Sequence, residues 1–158
     1  DVRERLAEFP RLSSVGRFIR IHGDLHLGQT LARPDGTWVV LDFEGEPARA
    51  LTQRRMKRSA LRDVASMLRS FAYAAAAVQR AGGPDAADVE ARARETFLST
   101  YLHEVDASLL PPGEQSVENL LNIFELEKAI YELGYELDNR PDWVAIPVAG
   151  IERLLEAA

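Results

Sequence analysis

Cysteine is absent from the chain, and with it any disulfide framework, thiolate metal cage or cysteine nucleophile. Cationic residues are in the minority: 19 Lys and Arg stand against 25 Asp and Glu, a formal net charge of −6. Nucleic acids and anionic membranes are held chiefly by clustered Lys and Arg, so neither is an expected partner. Long apolar runs are lacking too. The longest, Phe71 to Val78, falls far short of the roughly 20 residues that cross a bilayer. The charged, helical N-terminal stretch DVRERLAEFPRL has no signal-peptide core. It carries no initiator Met and opens in mid-helix, so the expectation is a piece of a longer cytoplasmic protein.

What is present is ordinary globular composition, 46% hydrophobic and 28% charged over 158 residues, enough for a single domain spanning 1–158 with a sizeable core. Strand character is confined to the first third. Arg17 to Ile21 alternates polar and apolar residues, as a half-buried strand does. Pro34-Asp35-Gly36 is a turn signal between Gln29–Ala32 and Thr37–Phe43, which predicts a short hairpin. From Ser59, a plausible N-cap, the chain reads as helices. An apolar stripe from Leu61 to Val78 ends at Gly82-Gly83. A second helix follows Pro84 and runs to about Val105, with Val89, Ala93, Phe97 and Tyr101 on one face. After Pro111-Pro112-Gly113 comes a long helix from about Glu114 to Asn139, stopped by Pro141, then a last one over Pro147 to Glu156. A small hairpin followed by stacked helices is an α+β pattern.

The informative stretch is His22-Gly23-Asp24-Leu25-His26-Leu27-Gly28-Gln29, followed by Leu41-Asp42-Phe43-Glu44-Gly45. Phosphoryl transfer needs a carboxylate to take the acceptor's proton and oxygen ligands for the magnesium that shields the phosphates. Asp24 follows one strand and Asp42 ends the hairpin, which returns the chain to its start. Both carboxylates can therefore face one cleft, and Gln29 adds a neutral carbonyl oxygen.

This order of residues resembles protein-kinase-like phosphotransferases, in which H-x-D-x-x-x-x-N precedes D-F-G, and in particular the aminoglycoside phosphotransferase branch, whose loop reads HGDLH. Gln29 stands where most of those enzymes have Asn, and Glu44 where the short motif has Gly. The resemblance implies the mostly helical C-terminal lobe of a kinase, with ATP as co-substrate. It makes Asp24 the catalytic base, with His22 bracing the loop. Gln29 and Asp42 become the magnesium ligands; Glu44 is either a further ligand or a hydrogen-bonding group. Asp63 ties the catalytic loop to the following helix. His26 either contacts substrate or packs. A complete kinase of this kind also needs an N-terminal nucleotide lobe, which this chain does not supply.

On a helix, Lys128, Tyr131, Glu132, Tyr135 and Asn139 share one face, while Leu126, Ile130, Leu133 and Leu137 turn to the core. Aromatic faces beside carboxylates suit a sugar; the same pattern also suits a solvated, salt-bridged surface. The run E-K-A-x-Y-E-x-x-Y-E-x-x-x-R-P-x-W, taken with HGDLHLGQ and Asp42-Phe43-Glu44-Gly45-Glu46-Pro47, resembles the maltokinase family, a module that also ends some trehalose synthase fusions. The resemblance implies ATP-dependent phosphorylation of maltose at its anomeric hydroxyl. It places Lys128, Tyr131, Glu132, Tyr135, Arg140 and Trp143 on the sugar side. A kinase for an aminoglycoside or choline-like alcohol, or a non-catalytic module binding sugar or a partner domain, remains an alternative on the residues alone.

Overall fold

The computed structural model describes residues 3–4, 15–47 and 49–156. Apart from residues 3 and 4, the N-terminal stretch read above as helical lies outside them. Strand β1 (Phe18–Ile19) is followed by the expected hairpin, in which β2 (Thr30–Ala32) pairs antiparallel with β3 (Trp38–Val40). The Asp35 carboxylate closes the turn by accepting from the Thr37 N–H at 3.0 Å and its hydroxyl at 2.7 Å, as Asx turns do.

Beyond the hairpin lie the one-turn helix α1 (Leu51–Arg54) and strand β4 (Arg58–Ser59), then the long helices α2 (Leu61–Arg80), α3 (Ala87–Glu104), α4 (Glu114–Asn139) and α5 (Ala145–Glu156). The architecture is α+β and mostly helical, as expected. Strand β4 has no hydrophobic alternation to announce it. It forms because β1 needs a partner, and Phe18 and Ile19 pair with Ser59 and Arg58. Ser59, expected as the N-cap of α2, lies in this strand instead and the cap position falls to Ala60, although the Ser59 hydroxyl accepts from the Leu61 N–H at 3.4 Å.

The core is built where α2 crosses α4. Leu61, Val64, Ala65 and Leu68 pack against Val117, Leu120, Leu121, Ile123 and Phe124. Burying each large side chain is worth roughly 1.5–3 kcal/mol. Helix α3 closes one flank, where Phe71 and Phe97 meet edge-on at 5.7 Å.

One sequence expectation is corrected by the rotation of α4. Leu126 is buried, but Leu137 is 57% exposed, while Glu125 and Glu136 are buried. These carboxylates turn inward because each meets a cation. Arg94 forks onto Glu125 at 2.9 and 3.0 Å, and Arg140 reaches the two oxygens of Glu136 at 2.6 and 2.8 Å. Burial of a carboxylate is tolerable only when it is partnered in this way.

Candidate active site

The chain from β1 runs straight into the loop that carries His22 and Asp24. Helix α2 anchors this loop from below: the two oxygens of Asp63 accept the His22 N–H at 2.7 Å and the Gly23 N–H at 2.9 Å. Burial is the first cause holding the Asp63 carboxyl above its ordinary range, opposed by these two N–H groups. His22 is buried and locked at both ring nitrogens. Its Nε2 meets the Leu41 carbonyl at 2.6 Å, and its Nδ1 meets the Asp24 N–H at 3.3 Å. A carbonyl can only accept and an amide N–H only donate, so the ring carries its proton on Nε2. His22 thus ties Asp24 to the end of the hairpin, as a brace.

Past Leu41, Asp42 takes a left-handed conformation with φ of 59°, which non-glycine residues seldom adopt and which tends to persist where function requires it. Its Oδ2 accepts from the Gln29 side-chain amide at 3.2 Å. Asp42 and Gln29, expected to act together, are therefore in contact. The segment is held close by two glycines with positive φ: a Cβ on Gly23 would lie 3.3 Å from Gly45 Cα. Glu44 is exposed, and its backbone carbonyl accepts from Arg54 at 3.3 Å. His26 caps the 3-10 turn Leu27–Gln29 through Nδ1, with Nε2 3.9 Å from Asp24 Oδ2.

Asp24 opens onto a cleft of about 590 Å³ lined by His26, Lys128, Tyr131, Glu132, Tyr135 and Arg140. Lys128 reaches Asp24 Oδ1 at 3.2 Å and lies 4.9 Å from the centre of the Tyr131 ring. Burial, then a hydrogen bond to Glu46, pushes the Tyr131 phenol up. Glu132 is held by the fully buried Arg69, whose Nη2 and Nε donate to it at 2.7 and 3.3 Å. Tyr135 is 47% exposed, its ring 5.7 Å from the Arg140 guanidinium. Trp143 stands behind the cleft wall, stacked on Tyr73 at 6.0 Å and beneath Arg140 at 4.7 Å.

Among the wall residues not proposed from sequence are Glu46, Ser66, Ser70, Tyr73 and Glu136. Tyr73 and Arg140 both bond to Glu136. Glu136 follows Lys128 and Glu132 at four-residue steps, so helical spacing could have found it. Ser70 and Tyr73 lie on α2 three residues apart, and nothing in a single sequence shows that this face meets α4.

Among the described residues no three His, Cys, Asp or Glu side chains gather to hold a metal. Asp42 and Gln29 offer one carboxylate and one amide. That fits magnesium, which keeps waters and takes its remaining oxygens from substrate phosphates.

No family model matches the chain. It is 35% identical over 140 residues to a glucosamine kinase of Mycolicibacterium smegmatis, covering 85% of this chain and 34% of that protein. To a glucosamine kinase of Streptacidiphilus jiangxiensis it is 31% identical over 141 residues, 87% of this chain and 32% of that one. A solved glucosamine kinase in complex with glucosamine, ADP and inorganic phosphate superposes with a TM-score of 0.84 at 29% identity, over 99% of this chain and 39% of that one. A second crystal form superposes at 0.83 with 30% identity, over 98% and 38%. The chain is homologous to sugar kinases. The relatives matched are glucosamine kinases, of whose length it spans about a third, so the relationship expected from sequence is upheld for sugar kinases and not for maltokinases in particular.

Proposed function

We propose that this chain is the catalytic, sugar-binding lobe of a longer ATP-dependent sugar kinase, with an amino sugar of the glucosamine type as its acceptor. The observation that carries this reading is the position of Asp24, held by Lys128 at the head of a cleft walled by carboxylates and tyrosines. Similarity covering 32–39% of the length of glucosamine kinases supports both the kinase and the partial chain.

In the proposed reaction, Asp24 accepts the proton of a sugar hydroxyl as that oxygen bonds to the γ-phosphorus of ATP. The bond to the β-phosphate oxygen breaks and ADP leaves. Lys128 and the His22 brace fix where Asp24 points, which is the larger part of catalysis when little covalent chemistry falls to the protein. Asp42 and Gln29 would hold magnesium, which supplies charge neutralisation at the phosphates.

The charge of the cleft does not by itself select the acceptor. Asp24, Glu46, Glu132 and Glu136 line it together with Lys128 and Arg140, and both cations are already paired, with Asp24 and Glu136. Glu132 and Glu46 are paired as well, with Arg69 and Arg49, so the charge of the cleft is balanced and the amino-sugar acceptor is supported by the similarity to glucosamine kinases. Maltose is the second reading, because the cleft is wide for one ring and carries Tyr73, Tyr131 and Tyr135 as stacking faces.

Saturation-transfer NMR with glucosamine, maltose, glucose and kanamycin tests the acceptor. Selective glucosamine signals, weakened by Tyr135→Ala, are expected. Selective maltose signals would transfer the assignment to the disaccharide, and kanamycin alone would overturn both.

A further inference from the structure

A second cavity, of about 70 Å³, lies behind the catalytic loop and shares Glu46, Ser66, Lys128 and Tyr131 with the cleft wall. Its lining gathers Arg49, Arg54, Arg58 and Arg62, and like charges brought together repel one another. The question is which of them are neutralised. Arg62 meets Glu127 at 2.7 Å, and Arg49 meets Glu46 at 3.4 Å. Asp63, the other acid in the lining, is spent on the N–H groups of His22 and Gly23. Lys128 is taken by Asp24.

Two cations are left over. Arg54 reaches a backbone carbonyl, that of Glu44, and among the described residues its buried Nε has no hydrogen-bond partner. Among the described residues no carboxylate pairs with Arg58. Burial, then Arg62 and Arg49, holds its guanidinium below the ordinary value, against the pull of Glu127. Gly23 and Gly45 complete the lining and leave bare backbone beside the space.

We propose that this cavity is a binding site for a small tetrahedral oxyanion, inorganic phosphate, gripped by Arg58 and Arg54 with Arg49 beside them. Guanidinium forks match the paired oxygens of such an anion. Size selects it as well. A cavity of about 10–15 Å³ holds one water on this measure, so about 70 Å³ accommodates the five heavy atoms of phosphate and excludes a nucleotide. The site lies one residue from Asp24 and shares Lys128 with it, so occupancy is felt at the catalytic loop.

Phosphorus NMR of inorganic phosphate titrated with the protein tests this, alongside amide shifts of Ile21, Gly23 and Gly45. Saturable broadening of the phosphate line is expected, with shifts at those three amides. Arg58→Gln, and its combination with Arg54→Gln, should weaken binding about tenfold or more, the loss of a charge-assisted contact. No broadening, or amide shifts confined to the cleft, would overturn the site in the unsubstituted protein, whatever the variants do. Undiminished binding by a folded double variant would do the same. A glucose 1-phosphate control that binds while free phosphate does not would reassign the cavity to a sugar phosphate monoester and so contradict the proposal.

Discussion

Lys128 and Asp24 are separated by 104 residues of sequence and by 3.2 Å in space. Helix α4 thereby reaches across to the catalytic loop and fixes one oxygen of the carboxylate, leaving the other near His26 at 3.9 Å. The residue read from sequence as part of a sugar-binding face thus touches Asp24, and we propose that it positions that carboxylate.

Lys128→Met, in a full-length active form, should therefore lower kcat more than it raises the sugar KM. Misplacing a reacting group by about 1 Å can cost around 10²-fold, and a fall of that order is expected from steady-state kinetics. A change confined to KM would return Lys128 to the sugar side.

Glu132 and Tyr135 separate structure from recognition. Glu132→Ala leaves Arg69, 1% exposed, as an unpaired buried charge, so chemical denaturation should show a loss of about 3–5 kcal/mol. Tyr135 is half exposed and its substitution should stay within about 0.5 kcal/mol while weakening sugar binding. Equal stability losses at the two positions would contradict the arrangement.

Arg69 imposes a second constraint. A Cβ at Gly150 would collide with Arg69 Nη1, so Gly150→Ala must displace a guanidinium held by Glu132. Overpacking of this kind costs about 1–3 kcal/mol. A melting temperature equal to that of the unsubstituted protein would show that α5 has room to move.

The pH dependence of stability carries the sign of burial. Glu132 is held above its ordinary value of 4.5, burial outweighing Arg69. A carboxyl whose folded pKa exceeds its unfolded one binds more protons when folded, so its contribution falls as pH rises through the window between the two. The stability advantage of the unsubstituted protein over Glu132→Gln should narrow as pH rises above 4.5. An advantage that widens would mean that Arg69 dominates. Asp106, held low by the Ser108 N–H, acts oppositely, its contribution being lost as pH falls through its folded value.

The helices from Leu61 onward were legible because their apolar spacing and their Gly and Pro boundaries are local signals. The clustering of His22 with Asp24 and of Gln29 with Asp42 was legible because their order and spacing resemble those of kinase-like phosphotransferases. Strand β4 was not, since its pairing with Phe18 and Ile19 is set by tertiary contact rather than by its own pattern. The inward turn of Glu125 and Glu136 was hidden for a similar reason: the cations that make it tolerable, Arg94 on α3 and Arg140 past the end of α4, are identified only once the chain is folded. Arg58 shows the limit most plainly. In sequence it is one of several arginines after Ala48, and only the cavity distinguishes it.

The central claim is that Asp24 takes the acceptor's proton in a sugar kinase. Steady-state phosphoryl transfer from ATP to glucosamine by the full-length enzyme and its Asp24→Asn variant tests it most directly. General-base catalysis contributes about 10²–10⁴-fold, so kcat should fall by that much with sugar affinity nearly unchanged. Near-normal turnover by the variant would remove Asp24 from the chemistry and contradict the account.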